Sequence, residues 1–171
     1  MLKNFNISKF KASKPPKDNS LKTLSEIKKL EKIPINKSFV KKYDNVKDNF
    51  YNIVEDSDIE QLLKESIPHI EKIKKYFNRP RPKELAKNFG IKLDNIELES
   101  MKTASYPSGH SIQAYLLADY LKQKYPEKSN ELNKLADNIS DSRKVARAHY
   151  DSDSKFGKTI GLEMSKHIKE Q

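Results

Sequence analysis

The stretch Tyr106-Pro107-Ser108-Gly109-His110 combines residue types that can act on an anion, and it precedes the most apolar helical segment of the chain. Serine is a preferred N-cap residue, so this stretch predicts a helix that starts at Ser108. The first turn of a helix presents free backbone N–H groups and a partial positive charge, which together bind anions. His110 lies in that turn and can transfer protons at the same place. The stretch therefore predicts proton-coupled chemistry on an anion.

The arginines of this lysine-rich chain occur in two short windows. Of the 34 basic residues only four are arginine, namely Arg79, Arg81, Arg143 and Arg147. A guanidinium is a rigid fork that can bind phosphate or carboxylate with two hydrogen bonds, which lysine cannot do. Both windows are therefore candidate anion sites, with Arg79 and Arg147 interpreted as residues of the surface or of the entrance to the site.

Residues 57–78 follow the i, i+3, i+4, i+7 pattern of an amphipathic helix, with Pro68 expected to kink or split it. At about 100° per residue, Lys74 lies roughly 40° from Ile70 on the apolar side, whereas Lys72 lies roughly 160° away on the solvent side. A lysine that faces a core usually has an anionic partner there. Lys74 is therefore a candidate ligand of the anion.

Residues 127–150 are predicted to form another helix, whose apolar stripe ends in polar residues. The stripe begins at Leu132 and runs through Ala146 to His149 and Asp153. His149 and Asp153 are four residues apart, so they lie one turn apart and can form a hydrogen bond. Arg143 lies on the same segment, about 120° around the helix from His149, and must reach around it to join them.

These elements, together with the remaining periodicity, predict an all-α, single-domain helical bundle. Further helices are predicted at residues 21–33, 45–54, 84–89, 108–124 and 155–170, and no stretch shows convincing strand alternation. Residues 1–20 contain Lys, Ser, Asn and Pro without a period and are expected to form a flexible N-terminal arm. Residues 21–171 are expected to form the domain.

Composition limits the classes of function. The 171 residues suffice for one domain with a core, and the lack of cysteine excludes disulfides and thiolate chemistry. No apolar run approaches the roughly 18 residues of a membrane span, and the N-terminus shows no secretory signal. We therefore expect a cytoplasmic or otherwise non-secreted protein. The net charge of +10 is compatible with nucleic acid, an anionic membrane surface or an anionic substrate.

Taken together, the three segments resemble the three-part signature of the type 2 phosphatidic acid phosphatase superfamily. In this chain the signature reads Lys74, six residues, Arg81-Pro82; then Pro107-Ser108-Gly109-His110; then Ser142-Arg143, five residues, His149, three residues, Asp153. Among soluble members, the chain is most similar to the class A non-specific acid phosphatases, which share a tyrosine and an arginine within the first part. Those residues are Tyr76 and Arg79 here.

The resemblance implies a role for each site residue. It implies that His149 is a nucleophile that forms a phosphohistidine, that Asp153 orients it, and that His110 protonates the leaving alcohol. The groups that it implies for binding the phosphoryl oxygens are Lys74, Arg81, Ser108, Gly109 and Arg143. It implies neither a metal ion nor another cofactor.

The expected function is metal-independent hydrolysis of phosphate monoesters, with a phosphorylated small molecule as the partner. A lipid phosphate or pyrophosphate phosphatase at an anionic membrane surface stays open as an alternative, and so does a vanadate-dependent haloperoxidase. The short chain disfavours the haloperoxidase, because those enzymes are much longer. A basic nucleic-acid-binding or scaffold protein with a decayed site is the non-enzyme alternative, which the intact signature disfavours. Binding of a specific nucleic acid is not expected.

Overall fold

The computed structural model describes residues 1–169 of the chain and is all-helical. Within these residues the α-helices are α1 Leu21–Glu31, α2 Lys37–Tyr43, α3 Val46–Tyr51, α4 Asp58–Phe77, α5 Pro82–Ala86, α6 Gly109–Lys124, α7 Ser129–Val145 and α8 Asp151–Ser165. Short 3-10 turns cover Ile7–Ala12, Lys87–Phe89, Glu99–Lys102 and Pro126–Lys128. The extended pairing in this part of the chain is a single bridge between Leu2 and Ile168. The prediction of an all-α bundle is confirmed.

Helix α6 lies at the centre of the bundle and packs against α4, α7 and α8. Its side chains are buried on most sides, including Ile112, Leu116, Leu117 and Leu121. A helix that is apolar around most of its circumference is stable only when neighbours surround it. The Ser108 hydroxyl accepts a hydrogen bond from the Ser111 N–H (3.2 Å), so the predicted N-cap is confirmed. The central position of α6 fixes the start of this helix in the interior.

Two glycines allow α8 to approach α6 closely. A Cβ atom built on Gly157 would lie 2.7 Å from the Ser108 carbonyl oxygen and 2.8 Å from the Ser111 Cβ. A Cβ atom on Gly161 would meet the α6 backbone at Ile112 and Leu116. Because real Cβ atoms do not come this close, any larger residue would separate the helices. The close contact brings the first turns of both helices to the same place.

Helix α4 ends beside the start of α6 and carries Lys74 near its last turn. The helix continues as one element through Pro68, so the expected split does not occur. Lys74 is buried and Lys72 is exposed, which confirms the predicted facing. Asn78 ends the helix in the left-handed region (φ 47°), a conformation that asparagine tolerates better than most residues. The chain then turns inward at Arg79.

The predicted helix over residues 127–150 is wrong at its C-terminal end. Helix α7 ends at Val145, and α8 begins only at Asp151. Between them, Arg147 has a positive φ of 57°, which interrupts the helical path. His149 therefore lies in the connection and Asp153 in the first turn of α8, rather than on one continuous helix.

The N-terminal segment differs from the expected flexible arm, because its first residues pack on the bundle. Ile7 and Phe10 lie in the main apolar core, and the 3-10 turn that carries them contacts α4. The Lys3 N–H donates to the His167 carbonyl oxygen (3.0 Å). The sequence does not reveal this packing, because Ile7 and Phe10 are only three positions apart. They lie on one side of a 3-10 turn that is too short to show a repeating apolar pattern. Within residues 1–169, no helix is both long and apolar enough to cross a bilayer.

Candidate active site

A pocket of about 180 Å³ opens where the end of α4 meets the start of α6. Four of the predicted site residues line it, namely Lys74, Gly109, His110 and His149. Ile67, Ile70 and Glu71 of α4 line another part of its wall. A second opening of about 400 Å³ shares Ser100, His110 and Gln113 with it, so a ligand larger than phosphate has room to extend. The three sequence segments therefore meet at one concave surface.

His149 and Asp153 form the hydrogen bond that their spacing predicts. The His149 Nδ1 lies 2.9 Å from the Asp153 Oδ2, and both side chains are buried. The His149 Nε2 lies 2.9 Å from an Arg81 Nη1, which can only donate. Nε2 is thus an acceptor and Nδ1 carries the proton. Burial and then the charge of Arg81 hold the pKa of His149 well below its usual value, so the ring is neutral with its lone pair on Nε2.

The Asp153 carboxylate is enclosed by donors. Its Oδ2 also accepts from the Ser105 hydroxyl and from the Tyr150 N–H (3.1 Å), while its Oδ1 accepts from an Arg79 Nη1 (2.8 Å). Burial raises the pKa of Asp153 to about 6, and the Arg79 charge together with these hydrogen bonds opposes that rise. Asp153 consequently takes up a proton at a higher pH than an exposed aspartate does.

Lys74 presents a nearly buried ammonium group to the pocket. Its Nζ donates to the Thr103 hydroxyl (3.1 Å) and to the Ala104 carbonyl oxygen (3.0 Å). Burial and then the nearby Arg81 charge lower the pKa of Lys74 to about 7. A bound anion would favour the charged form, because a nearby opposite charge stabilises the ammonium.

Arg81 is held by backbone carbonyl oxygens around the rim of the site. It donates to the carbonyl oxygens of Thr103 (2.9 Å), Ala148 (2.9 Å) and Ser100 (2.5 Å). Burial lowers its pKa to about 10, so it remains charged at neutral pH. These neutral acceptors orient the guanidinium without cancelling its charge.

Arg143 and His110 meet at Asp44, a residue at the end of α2. The Arg143 Nη1 donates to the Asp44 Oδ1 (2.9 Å), and the His110 Nε2 lies 2.8 Å from the Asp44 carbonyl oxygen. The buried Arg143 Nη2 has no protein acceptor within residues 1–169. Burial and then the Arg143 charge lower the pKa of His110 to about 4. This guanidinium therefore keeps one donor available beside two histidines.

Of the two remaining predicted residues, Gly109 lines the pocket, whereas Ser108 lies buried behind it. Gly109 lines the pocket, and a Cβ atom there would lie 3.3 Å from Ile70 and 3.7 Å from the Lys74 Cε. Ser108 is fully buried and caps α6. Its N–H donates to the Asp153 carbonyl oxygen (3.1 Å), which joins the first turns of α6 and α8. Ser108 thus supports the pocket wall that Gly109 forms.

The interpretation as a surface or entrance residue is wrong for Arg79, whereas Arg147 is only half-buried. Arg79 is buried, forms ion pairs with Glu26 and Asp153, and stacks on the Tyr150 ring (3.7 Å to the centroid). Arg147 is half-buried and donates to the carbonyl oxygens of Glu31 and Ile33 (both 3.1 Å). Both therefore connect the site segments to helix α1 and the residues that follow it.

Sequence reasoning missed Asp44, Thr103 and Glu26, which contact the predicted residues directly. Asp44 and Thr103 lie in or beside turns without periodicity, so no sequence pattern marks them. Glu26 did carry a signal, because it adjoins Ile27 on a predicted apolar helix face. An acidic residue at a buried position needs a cation or several donors.

Comparison with known proteins supports a phosphatase relationship over half of the chain. A stretch of 88 residues, 52% of this chain, is 36% identical to a non-specific acid phosphatase of Salmonella typhi. The identity to a non-specific acid phosphatase of Salmonella typhimurium is 35% over the same length. The matched stretch covers 35% of each relative, so the chain spans about a third of the length of the relatives it matches. No family model matches the chain.

The arrangement can stabilise a phosphoryl group and transfer a proton to it. It combines a neutral histidine held in one tautomer, a second histidine at a helix start, and three cations that backbone groups and one carboxylate orient. Among residues 1–169, no group of three or more His, Cys, Asp or Glu side chains could hold a metal ion. The cationic side chains that can stabilise a phosphoryl group here are Lys74, Arg81 and Arg143.

Proposed function

We propose that this protein hydrolyses phosphate monoesters through a covalent phosphohistidine on His149, without a metal ion. The observation that carries the proposal is the orientation of the His149 ring by its two hydrogen-bond partners. Asp153 accepts from its Nδ1, and its Nε2 faces Arg81 in a pocket that Lys74 and His110 also line. The similarity to two non-specific acid phosphatases supports the hydrolysis of phosphate esters.

In the first step, the His149 Nε2 attacks phosphorus, an N–P bond forms and the bond from phosphorus to the ester oxygen breaks. His110 donates a proton to the leaving oxygen, because an alkoxide leaves poorly at neutral pH. Asp153 stabilises the positive ring that develops on His149. Lys74, Arg81 and Arg143 bind the equatorial oxygens, on which negative charge is spread in the transition state.

In the second step, water attacks phosphorus, the N–P bond breaks and inorganic phosphate is released. His110, now neutral, accepts the proton from the attacking water, which restores both histidines. The low pKa of His110 fits this base role, and the negative charge of a bound phosphoryl group favours its acid form in the first step.

The test is hydrolysis of a chromogenic phosphate ester in excess chelator, with His149→Ala and His167→Ala compared. His167 serves as a matched control because it lies near the C-terminus, beside Glu163. We expect full activity in the control, loss of activity in His149→Ala, inhibition by vanadate, and an acid-labile phosphoenzyme in the unmodified protein. Full activity in His149→Ala would overturn the mechanism. Bromide oxidation by the vanadate-loaded protein without ester hydrolysis would favour the haloperoxidase instead.

A further inference from the structure

A buried chain of charges runs from helix α1 to the His149–Asp153 pair. Glu26 of α1 accepts from an Arg79 Nη2 (3.3 Å), and the other terminal nitrogen of Arg79 donates to Asp153 (2.8 Å). The Arg79 and Asp153 side chains are 0% exposed, and that of Glu26 is 1% exposed. A guanidinium can hold two carboxylates in fixed directions because its donors form a planar fork. Arg79 therefore joins two carboxylates that lie 127 positions apart in the chain.

Glu26 also fixes the first turn of α8. Its Oε1 accepts from the Ser152 N–H (2.7 Å), and its Oε2 accepts from the Ser152 hydroxyl (2.9 Å). Arg79 donates to the same hydroxyl (2.8 Å). A helix start has free N–H groups that need acceptors, and a carboxylate is favourable there. Because Ser152 precedes Asp153, these contacts hold the backbone that presents the Asp153 carboxylate.

Packing fixes Arg79 and Glu26 in turn. The Tyr150 ring covers one face of the Arg79 guanidinium, and Ile27 and Leu30 of α1 lie in the same apolar cluster as Tyr150. Helix α1 lies outside the signature segments, yet its only buried carboxylate within the described residues is directed at them. Such a buried pair is costly to desolvate, and replacement of a buried ion pair by hydrophobic residues of similar volume is often neutral or stabilising. The stability of the fold alone does not explain these charges.

We propose that Arg79 and Glu26 are positioning residues, with Arg79 fixing the Asp153 carboxylate against His149 and Glu26 fixing Arg79 and the start of α8. This inference rests on the proposed function, in which an oriented His149 attacks phosphorus. The Asp153 carboxylate binds Arg79 through Oδ1 and His149 through Oδ2, so both of its oxygens have a defined direction. Partners of this kind set the tautomer and basicity of the histidine that they support.

The proposal predicts that removal of the Arg79 charge and removal of the Glu26 charge shift the pKa of Asp153 in opposite directions. The groups that surround Asp153 are Arg79 after α4, Ser105 and Tyr106 before α6, His149 and Tyr150 before α8, Lys74 of α4, Arg81 before α5, and Glu26 of α1 behind Arg79. The Arg79 charge lowers the pKa of Asp153. Removing it should raise that pKa, whereas neutralising Glu26 leaves Arg79 with one carboxylate and should lower it.

The experiment compares Arg79→Met, Arg79→Lys and Glu26→Gln in kcat and KM against pH, using a chromogenic phosphate ester in excess chelator. For Arg79→Met we expect kcat to fall by about 10- to 100-fold, the range seen when the partners that orient a metal-bound histidine are removed. The KM should stay within roughly threefold, because Arg79 is not a proposed phosphate ligand. The acid limb of the kcat–pH profile should follow the pKa of Asp153. It should move upward by about one pH unit in Arg79→Met and downward in Glu26→Gln. Arg79→Lys should recover part of kcat.

The control is Asp56→Asn, which neutralises a buried carboxylate of the same kind far from the site. Asp56 accepts from Lys124 (2.6 Å) and from the Tyr125 hydroxyl (2.8 Å) just before α4 begins, whereas Lys74 lies near the end of that helix. This variant should lose stability and keep the pH profile. A purely structural role for Arg79 and Glu26 would give the same pattern in their variants, and that result would overturn the proposal.

A second readout does not depend on catalysis. In nitrogen-15 NMR, His149 should show a proton on Nδ1, and its titration should shift in opposite directions in Arg79→Met and Glu26→Gln. Unchanged His149 signals in both folded variants would overturn the proposal even if the unmodified protein is an active phosphatase. If the unmodified protein hydrolyses no ester but these shifts occur, the proposed function fails and the positioning role stands. If Arg79→Met does not fold, Arg79→Lys and Glu26→Gln decide the outcome.

Discussion

At the residue scale, the charge on Lys74 makes anion binding depend on pH. The pKa of Lys74 is lowered to about 7, so the group loses its charge as the pH rises through neutrality. A bound phosphate favours the charged form, so above this pH its binding requires Lys74 to take up a proton from solvent, which weakens the apparent affinity. We expect the inhibition constant of inorganic phosphate to rise by up to about tenfold per pH unit between pH 8 and 9. Its measurement against pH checks this prediction.

Lys72 provides the matched control, because it lies on the exposed face of the same helix. Lys72→Met should keep the pH dependence of phosphate binding. Lys74→Met should bind phosphate weakly at every pH, and its inhibition constant should no longer rise between pH 8 and 9. Equal pH profiles for the two variants would show that another group controls binding.

His110 should matter most for substrates with poor leaving groups. A nitrophenolate leaves readily without a proton, whereas an alkoxide does not. We expect His110→Asn to lower kcat/KM by about 10²- to 10⁴-fold for an alkyl phosphate and much less for p-nitrophenyl phosphate. The ratio kcat/KM is the quantity compared because it excludes the second step, in which His110 is the base for both substrates. Steady-state kinetics with both esters measure the difference. Equal losses for the two substrates would assign His110 to binding rather than to proton transfer.

Lys74 and Arg79 show what sequence can reveal at this scale. Lys74 lies inside a long amphipathic helix, so its facing follows from the position of Ile70. Arg79 follows Asn78, whose left-handed conformation ends the helix, and beyond that residue the period carries no information. The burial of Arg79 depends on carboxylates from α1 and α8, which only the tertiary fold brings together.

At the element scale, the distance between α6 and α8 sets the geometry of the site. Gly161 lies against the α6 backbone, so Gly161→Ala must push the two helices apart. We expect a loss of about 1–3 kcal/mol in the free energy of unfolding, as for other overpacked positions, with a lower kcat. Urea denaturation checks the stability. Thr159→Ala on the exposed face of α8 is the control and should stay within about 0.5 kcal/mol.

The break between α7 and α8 shows why spacing predicted a contact but not its backbone. Residues four apart are neighbours on a helix, and they also meet when the second one begins a new helix. His149 and Asp153 are of the second kind, since Asp153 is the third residue of α8. The pattern of Leu132, Leu135 and Ile139 places α7 in the core but gives no signal for the turn at Arg147. That turn depends on carbonyl oxygens of the α1 region.

Short elements were the least predictable part of the fold. Helix α2 spans seven residues with Val40 as its buried position, so periodicity could not identify it. Yet the residue that directly follows α2 is Asp44, which contacts both Arg143 and His110. A single buried valine gives too little pattern to predict a helix, whereas the long helices α4 and α6 carry several turns of it.

At the scale of the whole molecule, the site brings three cationic side chains and two histidines close together. The pKa values of Lys74, Arg81, Arg143 and both pocket histidines are lowered, with burial as the largest cause of each shift. The net charge of +10 also opposes a compact fold. An anion in the pocket relieves the local part of this repulsion, so ligand binding and folding should be coupled.

Phosphate should therefore raise the thermal stability of the protein. At a concentration 100 times its dissociation constant, a ligand specific for the folded state stabilises it by about 2.7 kcal/mol. For a chain of this length that corresponds to a rise in Tm of roughly 5–10 °C. Thermal denaturation at pH 6, with chloride at equal ionic strength as the control, measures the rise. Lys74→Met should show a much smaller increase at the same phosphate concentration. An equal increase in that variant, or with chloride alone, would mean that general charge screening rather than this pocket stabilises the fold.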